Sequence, residues 1–255
     1  MTLGREGKRE HAVLQSFVSL ASSLTKGYDV IELLSELTED CARLLDVASA
    51  GLLLADGNGV LRVMAASSDE ARALEVIQLQ RAQGPCLDCY RGGSAVSVAD
   101  LEQARQRWPQ FVTAAHAAGF ASVHALPMRL QDNVLGTLGL FGAEVGSLND
   151  EDQELGQALA DVASVALVQD RAASDKAVVN EQLQNALNSR VVLEQAKGVL
   201  AQRGDLDMAR AFAVLRLYAR DNNRRLAEVA QALVSRALPA QVLLDHATAR
   251  GLARR

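Results

Sequence analysis

Apolar residues recur at two different periods along the chain, and the change of period divides it. From His11 to Leu24 the positions Val13, Leu14, Phe17, Val18, Leu20 and Ala21 keep helical spacing. From Tyr28 to Leu45 the series Val30, Ile31, Leu33, Leu34, Leu37, Cys41, Leu44 and Leu45 does the same, and Lys26-Gly27 between the two runs is a helix-stop signal. The pattern then turns strand-like. Residues 48–56 and 60–67 flank Gly57-Asn58-Gly59, a short Asn-Gly loop of the hairpin kind. A helix is expected from Asp69 to Gln80, then a turn rich in Gly and Pro with a short helical piece, then a strand at Ala95–Val98. Residues 104–120 hold a helix that starts at Trp108-Pro109 and stops at Gly119, and 121–130 pairs with 133–142 as a second hairpin. Helices interleaved with two hairpins predict an α+β fold, an antiparallel sheet with helices packed against one face.

Beyond Asn149-Asp150 the helical period returns. Leu155, Leu159, Val162, Val165 and Ala166 form a stripe that thins through Gln169, Lys176 and Asn180 and resumes at Leu183, Ala186 and Leu187. One helix over 150–190 is expected. It suits a coiled coil pairing two copies of the chain, and equally a domain-closing helix followed by a linker. Three short amphipathic segments follow over 191–234. Their apolar positions include Val191, Ala196, Val199 and Leu200, then Ala211, Phe212, Leu215 and Ala219, then Leu226, Val229, Ala230 and Leu233. Asp207 and Asn223 are placed to cap the second and third, because a short side-chain oxygen can accept the orphan N–H groups of a first turn. The remainder, 239–255, has one apolar patch, room for a fourth short helix, and a basic end.

Composition adds little to the fold but bears on partners. A 255-residue chain with 49% hydrophobic residues can bury a real core in one or two domains. No apolar run reaches the ~18 residues of a membrane span, and no secretory leader is evident, so a cytoplasmic setting is expected. Three cysteines, an odd count, do not make a disulfide scaffold. The net charge of -5 is unevenly spread: the stretch from Leu183 onward carries +6 and the 182 residues before it carry -11. A basic tail on an acidic body points to an anionic partner, although solvated helices can carry Arg for no such reason.

Candidate chemistry is sparse. Cys86-Leu87-Asp88-Cys89 is one CxxC, half of what a zinc site needs, and His116 or His124 has no spacing that demands completion of it. A redox pair at a helix start would have a lowered thiol pKa; the alternative is that Gly84-Pro85-Cys86 shapes a turn at a pocket rim. His124 lies in a strand with apolar neighbours, as a core or pocket histidine would. Gly136, Gly139 and Gly142 mark either local bulges or places where something approaches the backbone closely. No phosphate-binding loop, dinucleotide fingerprint, zincin motif or nucleophile elbow is present, and no carboxylate pair suits acid–base work, so catalysis is not expected.

The basic tail is more specific. Lys197 projects from the flank of the first of the three segments, beside Gly198, whose missing side chain permits close approach of a helix or a phosphate. Arg216 and Arg220 share a face four residues apart, and Asn223, Arg224 and Arg225 cluster where a helix dipole already favours an anion. Arginine can bind phosphate bidentately or stack on an unpaired base.

Two resemblances follow. GPCLDCYRGG (84–93), VAD (98–100), RWPQF (107–111), GFASVHALPMRL (119–130) and VLGTLGLF (134–141) resemble a GAF domain, the small-molecule sensor module, of the kind found in actinobacterial regulators. The resemblance implies a GAF-like sheet flanked by helices over 8–170, with 150–190 as closing and linker helix. It also implies an effector pocket for which Cys86, His124 and Gly136 are the candidates. The Asn-Lys…Phe…Asp-Glu signature of cyclic-nucleotide GAF domains is missing, and a haem-responsive or redox-responsive GAF sensor is the alternative. RVVLEQAKGVLAQRG (190–204), ARAFAVLRLYAR (209–220) and NRRLAEVAQALV (223–234) resemble an ANTAR domain, a three-helix RNA-binding antitermination module, over 183–238. That implies binding of a hairpin in a nascent transcript through Lys197, Gly198, Arg216, Arg220 and Asn223 to Arg225. A homodimer switched by the effector, with no membrane attachment, is the expected assembly. Docking of a partner protein on the three helices is the competing reading.

Overall fold

The strand-like middle of the chain forms one five-stranded sheet. In the computed structural model, which describes residues 3–23, 29–146, 148–168 and 176–252, the strands are β1 (Ser49–Ala55), β2 (Leu61–Ala66), β3 (Val96–Val98), β4 (Ser122–Leu130) and β5 (Asn133–Gly142). They are antiparallel in the order β2-β1-β5-β4-β3. The Gly57-Asn58-Gly59 loop closes the first hairpin, fixed by the Asp56 carboxylate, which accepts from the amides of Asn58 and Val60 at 3.0 Å each. The second hairpin turns at Gln131, with φ at +53°.

Helices cover both faces of this sheet, where the sequence led us to expect one. The reason is written in β1, all seven of whose residues are buried, whereas a sheet wetted on one side would alternate. Odd-numbered positions such as Gly51, Gly139 and Phe141 face the layer of α3 (Asp69–Arg81), α4 (Pro85–Gly92) and α5 (Pro109–Ala117). Even-numbered Leu126 and Leu140 meet Gly156 of α6 (Asp150–Val168), in the layer that also holds Leu45 at the end of α2 (Val30–Leu44). Against α6 packs α1 (Leu3–Ser23), which begins earlier than its apolar stripe suggests.

Two compact units result, one made of Met1–Gly27 with Leu33–Leu183, the other of Tyr28–Glu32 with Gln184–Arg255. The expected helix stop at Lys26-Gly27 lies outside the described residues. So does the stretch 169–175, where the stripe of the expected 150–190 helix thins. On either side of it stand α6 and α7 (Lys176–Gly204).

In the second unit α7 is followed by α8 (Met208–Asp221), α9 (Leu226–Val234) and α10 (Ala240–Ala249). Leu200, Leu215, Val229 and Leu233 are buried at its centre, as the helical spacing requires. The expected three-helix core has a fourth member, because α10 buries Leu243, Leu244 and Ala247 in it. Gly204 accommodates α10: a Cβ there would stand 2.6 Å from Leu244 Cδ2. Asp207 caps α8 as expected, accepting from the Arg210 amide at 2.7 Å. Asn223 does not cap α9. It ends α8 in the left-handed region at φ +49°, which Asn tolerates, while the Arg224 amide reaches back to the Ala219 carbonyl at 2.9 Å. The N-cap of α9 is Arg225, which makes no side-chain cap.

Candidate functional site

The sensor half holds a buried polar centre. From α3, Glu75 and Gln78 point at the sheet; from the first turn of α4 comes Cys86. Gln78 Nε2 donates to Glu75 Oε2 at 2.8 Å, the Cys86 amide donates to Gln78 Oε1 at 3.0 Å, and the Cys86 thiol donates to Glu75 Oε1 at 3.5 Å. All three residues have no exposure. Glycines make room for them. A Cβ on Gly139 would lie 2.7 Å from Glu75 Oε1 and 2.9 Å from Cys86 Sγ, and one on Gly51 would lie 2.8 Å from Glu75. Gly84, at φ +145°, lies against Gln78 and admits no side chain. What approaches the β5 backbone at Gly139 is therefore this internal cluster.

Burial decides the protonation of the centre. The Glu75 carboxyl is pushed up to about 8 by desolvation, with the Cys86 hydrogen bond pulling the other way. The Cys86 thiol is raised well above its ordinary value by burial and then by Glu75. Cys89 is pushed up to about 12, again by burial. A helix start would lower a thiol, but here the loss of water outweighs it, so the CxxC carries no reactive thiolate. Among the described residues no group of three or more metal-ligating side chains converges.

The three expected pocket residues do not share a site. Cys86 is on the α3–α5 side of the sheet. His124 is on the α6 side, 3% exposed, and its Nε2 accepts from the Leu148 amide at 3.2 Å. Burial lowers its pKa, offset in part by the Gly146 backbone. The hydrogen bond from Leu148 occupies Nε2, while Nδ1 is buried with no hydrogen-bond partner among the described residues. Gly136 is structural: it sits at the β4–β5 irregularity, and a Cβ there would fall 2.0 Å from the Leu53 carbonyl oxygen of β1. His124 does line a cavity of about 350 Å³, bounded by Asp46, Ser122, Glu144 and Asn149.

In the helical unit the expected RNA-binding residues fall into two groups. Lys197 is 8% exposed instead of projecting freely; its Nζ lies 3.3 Å from both Glu194 carboxylate oxygens and 5.8 Å from the Phe212 ring centroid. The Arg216 guanidinium lies 5.6 Å from the same ring. Phe212 is half-buried between two cations, although its spacing placed it in the core. Gly198 is exposed, and a Cβ there would meet nothing within 4 Å. The second group is on the turn between α8 and α9. Asn223, Arg224 and Arg225 are exposed, and neither arginine is paired with a carboxylate among the described residues. Arg220, one turn before them, has its Nε 3.3 Å from Glu32 Oε1.

Sequence reasoning missed Glu75, Gln78, Asp29 and Glu32. Glu75 and Gln78 sit at i and i+3 with Ala71 and Leu74 on the buried side of α3, the one signal that two polar residues face inward. Asp29 stands directly before α2, where it reads as an ordinary cap. It does that, accepting from the Ile31 amide at 2.9 Å, but its second oxygen accepts from Ala227, the second residue of α9.

The chain thus combines a sheet between helical layers, with an enclosed polar centre, and a small helical unit bearing an exposed arginine turn. The chain belongs to the GAF domain family, whose model matches residues 28–168, and it carries an ANTAR domain at residues 181–234. ANTAR domains point to RNA-binding antitermination regulation and GAF domains to small-molecule sensing. Among curated proteins none matches the chain. Solved structures similar to it include the GAF domain region of a Geobacter sulfurreducens PCA protein, 19% identical with a TM-score of 0.47, covering 55% of this chain and 93% of that one. The GAF domain of an Acinetobacter phosphoenolpyruvate-protein phosphotransferase is 13% identical with a TM-score of 0.47, covering 60% and 90%. A type II free methionine-R-sulfoxide reductase from Thermoplasma acidophilum is 13% identical with a TM-score of 0.44, covering 54% and 91%. Among the described residues no helix is long and apolar enough to cross a membrane.

Proposed function

We propose that the chain is a signal-responsive, non-catalytic antitermination regulator whose helical unit binds a hairpin in nascent RNA. Gly198 carries this reading. A mid-helix glycine costs about 0.8–1 kcal/mol against alanine, and here no neighbour in the unit requires it, so the fold gains nothing from that cost. A bare backbone beside the Lys197–Phe212–Arg216 face suits close approach of a nucleic-acid strand. Phe212 offers a stacking surface and the guanidiniums of Arg216, Arg224 and Arg225 bind phosphates. The effector would enter the cavity beside His124, and its binding would act through residues 150–190 on the pairing of two chains.

The test is retention of a random-loop hairpin RNA pool by the full chain, against a blunt RNA duplex of the same length, over a salt series. Hairpin preference and an affinity that falls steeply with salt are expected. Equal retention of both RNAs, or a salt-independent affinity, would leave the protein-docking reading in its place.

A further inference from the structure

A short segment of the second unit, Tyr28–Glu32, comes from far away in sequence against Gln184–Arg255, and 29–32 are its described residues. Each of three side chains in this short segment is committed to the helical unit. Asp29, 9% exposed, gives one oxygen to the Ile31 amide and the other to the Ala227 amide in the first turn of α9. Ile31, 2% exposed, is buried in the same apolar cluster as Leu193, Leu226 and Val229. Glu32 sets a carboxylate oxygen 3.3 Å from Arg220 Nε.

The chemistry of these contacts is that of a phosphate ligand. A helix start with no cap of its own, since Arg225 supplies none, takes a carboxylate as it would take a phosphate oxygen. An arginine pairs with a carboxylate in the geometry it uses for phosphate. Both groups taken by residues 29–32 flank Asn223, Arg224 and Arg225. We infer that residues 29–32 are an internal competitor of RNA: an acidic strap, pinned by Ile31, that holds Arg220 and the first turn of α9 and must release them before a strand can bind there. This rests on the RNA-binding reading above and adds its regulation. Ile31 separates the strap from a chance ion pair, because a buried apolar side chain gives it a defined seat, whereas exposed carboxylates alone would be screened and mobile. Among the described residues neither Arg224 nor Arg225 makes an ion pair with the strap, and both are exposed to make a first encounter.

The arithmetic of such a device is simple. If the strap is closed nine-tenths of the time, RNA affinity is reduced about tenfold, and opening the strap restores it. The experiment uses the full chain and the hairpin pool at about 150 mM salt. Two variants open the strap by different means: the double change Asp29→Asn with Glu32→Gln removes its charge, and Ile31→Ala removes its anchor. Both should bind the pool about tenfold more tightly than the parent, and adding Arg224→Ala with Arg225→Ala should abolish the gain. Hydrogen exchange at the Ala227 and Glu228 amides should speed up in Ile31→Ala, which reads strap opening without RNA. A parent that binds the pool as tightly as both strap variants overturns the inference and leaves the RNA reading intact. No binding by any variant overturns both, and it is the parent's own titration that tells the two failures apart.

Discussion

The Cys86 thiol lies 3.5 Å from Glu75 Oε1 with neither side chain exposed, so the centre of the sensor domain is an uncharged hydrogen-bonded pair. Its stability must depend on pH. The Glu75 carboxyl titrates near 8 in the folded chain and near 4.5 when unfolded. Between those values the folded state holds a proton that the unfolded state has lost, so stability falls as pH rises and levels off above about 8. Glu75→Gln keeps the shape and removes the titration. Its stability relative to the parent should climb between pH 5 and pH 8 by about 3–4 kcal/mol, read from urea midpoints. A parallel pair of curves would show that Glu75 ionises in place.

The same substitution at two glycines of α7 should have opposite signs. At Gly198 a Cβ meets open space, so Gly198→Ala should stabilise the unit by about 0.5–1 kcal/mol through helix propensity alone. At Gly204 the Cβ would press on Leu244 at 2.6 Å and Leu206 at 3.1 Å, so Gly204→Ala should destabilise by about 1–3 kcal/mol. Thermal unfolding decides both. For Gly198→Ala the added measurement is hairpin retention, which should weaken although the fold has become more stable.

How much of this was legible in the sequence depended on whether a signal was local. The hairpins, the cap at Asp207 and the Trp108-Pro109 helix start involve neighbours along the chain, and each is a matter of spacing or of one residue type. Gly136 and Gly139 were visible as places of close approach. What approaches them, Leu53 of β1 and the Glu75–Cys86 pair, was not, because these contacts join residues far apart. Cys86 of α4 packs on the face of the sheet that Ala125 presents, and alternation along β4 turns the neighbouring His124 to the other face. At Lys197 a cation projecting from a flank and one with a buried stem look alike in sequence, and only its burial and the Glu194 pairing separate them.

The tail beyond the family match is part of the folded unit. Leu243, Leu244 and Ala247 are buried, and Asp221 at the end of α8 meets both His246 Nε2, at 2.8 Å, and Arg250 Nε, at 2.9 Å. Leu243→Ala should cost about 2–5 kcal/mol. Asp221→Ala should cost about 0.5–1 kcal/mol, since its partners are partly exposed. Denaturant titrations that show no loss for Leu243→Ala would mean that α10 is dispensable to the core.

Lys197 and Arg225 separate stability from binding within one unit. The Lys197 side chain is nearly buried and its ammonium is paired with Glu194, so Lys197→Ala strips a packed stem and removes one of the cations beside that carboxylate, Arg190 being another. It should lower stability by about 1–2 kcal/mol while changing hairpin affinity little. Arg225 is exposed and has no acidic partner among the described residues, so Arg225→Ala should leave the unfolding midpoint where it is. If Arg225 binds a phosphate, that variant should reduce the slope of log affinity against log salt by about 1, and weaken every hairpin in the pool alike. Measuring both quantities on both variants gives four outcomes. Loss of binding in Lys197→Ala without loss of stability would show that the Lys197 ammonium itself, and not only the Phe212 ring beside it, contacts the RNA.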